Sequence, residues 1–85
     1  MNISTLIPAT LVARRAFYEH GRQTVFTNNY KDCHTVKAYR TGSSELDIKI
    51  ASDIIQILRK SGYLGITTHF TEGVRSGGII IRIPK

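Results

Sequence analysis

The chain has 85 residues, 12 Lys and Arg against 6 Asp and Glu, and a formal charge of +6. A chain this short holds one domain, buries about 60% of its unfolded surface, and is too short for a dinucleotide-binding enzyme. A hydrophobic fraction of 41% with two prolines excludes a disordered chain, and the excess of cations puts polyanions first among its partners.

Taken in chain order, the first predicted element is a helix over 8–20. Pro8 suits the first turn, where its missing N–H has no partner to lose. Ala9, Val12, Ala13, Ala16, Phe17 and His20 recur at helical spacing and form one apolar face, with Arg14, Arg15 and Tyr18 opposite. Gly21 is placed to end the helix in the left-handed conformation. The β-branched and aromatic run 23–27 predicts a short strand, and Asn28-Asn29 a turn or the cap of the next element. The residues from Tyr30 to Tyr39 are expected to form a short helix, followed by a turn at Arg40-Thr41-Gly42-Ser43-Ser44.

The strongest pattern is a helix over 45–61. Ser44 and Asp47 make a capping pattern ahead of it. Leu46, Ile50, Ile54, Ile57 and Leu58 form a stripe that Ile48, Ala51 and Ile55 widen, which predicts burial on two sides. Lys49, Asp53, Gln56 and Lys60 mark the wet face, with Lys49 and Asp53 spaced for an ion pair. Arg59 and Lys60 complement the negative helix end, and Gly62 with Tyr63 fits a Schellman closure on Leu58. The tail, 63–83, alternates with period two on two arms and predicts a hairpin. Its connection, Thr71 to Gly78, is long, rich in glycine and carries Arg75 at its tip. The arm Ile79–Ile83 is apolar on both faces and needs a cover, for which a second copy of the chain is one candidate.

The chemistry of the chain points to binding. One cysteine, Cys33, excludes an internal disulfide and fits a reducing compartment. Cys33, His34, His20 and His69 lack metal-ligand spacing, and Cys33 has no triad partners. The glycine cluster Gly73-Val74-Arg75-Ser76-Gly77-Gly78 precedes a strand, whereas a P-loop opens a helix. No cofactor and no enzymatic activity are expected. No apolar run approaches the roughly 20 residues of a membrane span, and the start of the chain lacks a secretory pattern. A cytoplasmic protein is therefore expected.

The run Ile54-Ile55-Gln56-Ile57-Leu58-Arg59-Lys60-Ser61-Gly62-Tyr63-Leu64, with the order helix, strand, helix, long helix and hairpin, resembles the winged-helix DNA-binding family. The resemblance implies an α+β, winged-helix-like domain whose long helix reads DNA with Lys49, Ser52, Asp53 and Gln56, together with Ser43 and Ser44, while Arg75 and Ser76 form the wing tip. Ser44 to Ala51 followed by Ile57 to Leu64 is similar to the N-terminal half of bacterial ribosomal protein S8, which implies RNA binding through a basic face. His69 is placed somewhat like the histidine of small toxin ribonucleases, but Thr67-Thr68 stand where those enzymes carry Gly-Ser. A strand histidine without placed partners reads as structural.

The expected function is a small nucleic-acid-binding factor, with DNA ahead of RNA. The basic residues are dispersed, and Arg14, Arg15, Arg59, Lys60 and Arg75 mark their concentrations. The alternative is a protein-binding module, such as a small phage- or plasmid-type inhibitor or adaptor, or a dimer through the hairpin.

Overall fold

The computed structural model describes residues 8–73 and 77–85. Its elements are α1 (Ala9–Glu19), β1 (Val25–Asn29), β2 (Cys33–Tyr39), α2 (Ser44–Lys60), β3 (Thr67–Thr71) and β4 (Gly78–Pro84). The chain thus runs twice through a helix followed by a hairpin. The strands make one antiparallel sheet in the order β1-β2-β4-β3, so the two hairpins meet where β2 pairs with β4. Both helices cover one face of this sheet, which gives a two-layer α+β domain.

α1 forms as its spacing predicts. It buries Ala9, Ala13, Ala16 and Phe17. Gly21 takes φ +79°, and the Arg22 N–H then donates to the Phe17 carbonyl at 3.0 Å, closing the helix end. α2 ends the same way, with Gly62 at φ +95° and the Tyr63 N–H donating to the Leu58 carbonyl at 3.0 Å. At its start the cap is Ser43, whose hydroxyl accepts from the Leu46 N–H at 3.2 Å, so Ser44 is already inside the helix.

Asp47 has a different task from the expected one. Its carboxylate, 1% exposed, accepts from the Thr41 N–H, the Thr41 hydroxyl and the Arg40 Nε, each at 2.8 Å. Arg40 also lies over the Phe70 ring, 5.7 Å from its centroid. These contacts tie the start of α2 to the end of β2 and to β3.

α2 is buried along one side only, at Asp47, Ile50, Ala51, Ile54 and Leu58. Leu46 and Ile48, expected to join or widen the stripe, are 43% and 56% exposed. They point away because the sheet offers one flat surface and none of the described residues covers the helix from outside. Lys49 makes no ion pair among the described residues. Asp53 Oδ2 instead lies 2.7 Å from Nε2 of His20, which joins α2 to the end of α1.

The helix expected over 30–39 is strand β2. Two features hid it. The chain reverses at Lys31-Asp32, where the Tyr30 N–H donates to the Cys33 carbonyl at 2.8 Å. No described non-glycine residue has positive φ, so this turn uses none of the Asn-Gly or Asp-Gly chemistry that marks most two-residue hairpins. Asn28 and Asn29, expected to turn, instead extend the 23–27 strand, which runs as Val25–Asn29. Within β2, period two is visible once the register is known: Val36 and Ala38 are fully buried, and the intervening side chains face the other way.

The 63–83 hairpin is present as β3 and β4, with Leu64 and Ile66 lying before the first strand. The apolar arm is covered by the chain itself. β4 is flanked by β2 and β3, and Ile79, Ile81 and Ile83 lie under the helices at no more than 2% exposure. A second copy is therefore not needed to cover it. Arg75 and Ser76, the expected wing tip, lie outside the described residues.

Candidate nucleic-acid interface

Both helices lie on one face of the sheet; among the described residues no element covers the second face, and the pairing register arranges that face in rows. Phe26, Lys37, Ile80 and His69 form one row across β1, β2, β4 and β3. Asn28, Thr35, Arg82 and Thr67 form the next. Tyr39, Gly78 and Thr71 border the first row, and Tyr30, Cys33 and Pro84 border the second. A shallow cavity of about 360 Å³ opens between Tyr30, Lys37, His69 and Arg82, with Cys33 and Ile80 lining it.

This face combines aromatic surface with positive charge. Phe26 and Tyr39 pack edge to face, 5.6 Å between ring centroids. Each is 41% exposed, and Tyr30 is 54% exposed, far above what three aromatic side chains of a core would show. None of the four strands contains Asp or Glu, whereas Lys37 and Arg82 both stand on the open face. Of the six carboxylates, Glu19 ends α1, Glu45, Asp47 and Asp53 lie on α2, and Asp32 and Glu72 sit in connections. Glu72 is 3.8 Å from Arg40. The sheet face is consequently a surface of one sign, and the helical layer a mixed one.

Gly78 shapes the cationic part. A Cβ there would lie 2.5 Å from Cε and 3.0 Å from Cγ of Lys37, and 3.1 Å from the Ala38 carbonyl. The missing side chain lets the Lys37 stem lie flat across β4, next to Tyr39 in the bordering row. Packed this way, the aliphatic stem buries its methylenes against the sheet.

The residues expected to bind lie in the other layer. Ser44, Lys49, Gln56, Arg59 and Lys60 are all exposed on α2, together with Glu45 and Asp53. Ser44 Oγ accepts from Arg40 Nη2 at 3.2 Å. Arg14 turns toward β1, donating to the Thr27 hydroxyl and the Tyr18 hydroxyl at 3.4 Å each. It thus sits on the flank of α1 next to the sheet edge, while α2 packs over β4. Arg15 beside it is exposed. Phe26, Tyr30, Lys37, Tyr39 and Arg82, which the sequence did not single out as a group, are brought together on the open face. The signal that marks them is the absence of carboxylates from the four strand segments, legible only when β2 is taken as a strand.

Asp47 is the one group whose titration is clearly moved. Burial alone would raise its pKa, but the Thr41 N–H, the Arg40 guanidinium and the Thr41 hydroxyl outweigh burial and hold it below the ordinary carboxylate value. Its role is structural, since it lies in the layer opposite the open face. Among the described residues no three His, Cys, Asp or Glu come together as metal ligands, and no helix is long and apolar enough to cross a membrane.

No protein-family model matches the chain, and no curated protein matches it.

Proposed function

We propose that this protein binds nucleic acid, in a binding rather than a catalytic role, through the open face of its sheet. The observation that carries this is the one-sided charge: four strands without a carboxylate, with Lys37 and Arg82 set among Phe26, Tyr30 and Tyr39. Lysine and arginine supply phosphate affinity by releasing counterions, and aromatic faces receive bases. The net charge of +6 favours a polyanion over an acidic protein surface of mixed sign.

A second arrangement follows from the winged-helix resemblance. There α2 reads duplex DNA, and Arg59 and Lys60, both exposed at its end, favour it. Glu45 and Asp53 on the same helix weigh against it, because they repel phosphates along the outward face.

The two arrangements part in a salt titration of affinity. Contact through Lys37 and Arg82 predicts a log–log slope of roughly −1.4 to −1.8, appropriate to two phosphates. Arg82→Ala should flatten that slope by about 0.7 and weaken binding several-fold. The double variant Arg59→Ala, Lys60→Ala should bind as the parent does. An unchanged Arg82→Ala with a weakened α2 variant would assign the contact to the helix, and the lack of any salt-dependent binding would remove nucleic acid from consideration.

A further inference from the structure

We infer that the ligand of the open face is single-stranded nucleic acid, held by stacking of unpaired bases on Phe26, Tyr39 and Tyr30; this rests on the nucleic-acid reading above and names its substrate class. Shape comes first. A four-stranded sheet is about 14 Å across, whereas the major groove of B-DNA is about 12 Å wide and admits a helix or a two-stranded ribbon. Both helices lie behind the sheet, so the broad face meets a ligand without a projecting element among the described residues. A duplex laid on such a face offers only phosphates, because its base faces are closed inside the stack. The three aromatic side chains would then have nothing to bind.

A single strand removes this mismatch. Its bases are free to turn toward the sheet, where each aromatic ring offers a surface that every base can use. Phe26 and Tyr39 sit at one end of the face and Tyr30 at the other, two rows of the register apart from Phe26. Lys37 and Arg82 lie between those ends, in adjacent rows on neighbouring strands. That order, ring, cation, cation, ring, suits a strand crossing the face with a base at each end and its phosphates over the middle. Strands of seven residues, as β2 and β4 are, extend about 23 Å, enough for two or three stacked nucleotides. The hydroxyls of Thr35 and Thr67 and the amide of Asn28 fill the row around Arg82 with groups that can both donate and accept.

The test is fluorescence anisotropy with labelled oligothymidylate and oligouridylate of about 12 residues, within the usual single-strand site size, and a duplex of equal length. Either single strand is expected to bind at least tenfold more tightly than the duplex. Phe26→Leu and Tyr39→Leu, which keep apolar bulk but lose the π face, should each weaken single-strand binding about tenfold without changing the salt slope. Tyr39→Phe should restore it. Equal, salt-dependent binding of single strand and duplex, with both leucine variants neutral, would overturn the stacking inference and leave the nucleic-acid reading standing. Absence of binding to all three probes would overturn both. Tighter binding to the uridylate than to the thymidylate would identify RNA as the preferred strand, and the reverse DNA; both support the inference.

Discussion

Asp47 shows how one residue can read as one device and serve as another. Three residues after Ser44 and ahead of an apolar run, it fits a capping box, yet its carboxylate turns inward to Thr41 and Arg40. A charge that is 1% exposed is stable only with such partners, and an amide in its place keeps the acceptor for Thr41 but sets an NH2 donor against the Arg40 guanidinium, which loses its counter-charge. Asp47→Asn should therefore cost about 3 kcal/mol at neutral pH, measured by urea unfolding. The pH dependence has a definite sign. The folded pKa lies below 3.8, so the stabilisation is complete above the unfolded value and lost as pH falls through the folded one. The gap between parent and variant should narrow on going from pH 7 toward pH 3. A gap that stays constant would show that the charge contributes nothing. Gly78 is the counterpart on the open face, where the absence of a side chain makes room for Lys37.

At the scale of elements, the cap of α2 gives a sharp comparison. Ser43→Ala removes the hydroxyl that accepts from Leu46 and should cost about 1 kcal/mol, while Ser44→Ala, inside the helix, should cost much less. A larger cost for Ser44→Ala than for Ser43→Ala in thermal unfolding would mean that the helix starts one residue later. The helices were legible because their apolar residues repeat at 3.6 and because Gly21 and Gly62 announce their ends. The β3–β4 hairpin was legible from its period of two. β2 was not, since its turn at Lys31-Asp32 contains no glycine and Asn28-Asn29 offer a false one. Local propensity over Tyr30–Tyr39 is weak in either direction, and pairing with β4, from Cys33 against Pro84 to Tyr39 against Gly78 and so far away in sequence, decides it. The same non-local register sets the open face. Lys37 and Arg82 become neighbours in space only through β2 and β4, so neither stands out in a linear scan of dispersed cations. A stripe that looks wide enough for burial on two sides, as with Leu46 and Ile48, likewise depends on how many layers the molecule has.

The whole molecule separates its work between two faces. One is an aliphatic core of Val36, Ile79, Ile81, Ile50, Ile54, Leu58 and Phe17 clamped between helices and sheet. The other is a sheet surface free of carboxylates, with aromatic rings at its ends and two cations between them. The +6 charge alone does not point to a surface, because cations are spread along the chain; the proposed interface rests on the placement of the six carboxylates, none of which lies on a strand. Backbone amide chemical shifts followed by NMR during titration with a short single-stranded oligonucleotide would read the interface residue by residue. The largest shifts should fall at Phe26, Lys37, Tyr39, Ile80 and Arg82. Largest shifts at Lys49, Gln56, Arg59 and Lys60, with the sheet face unmoved, would contradict the account.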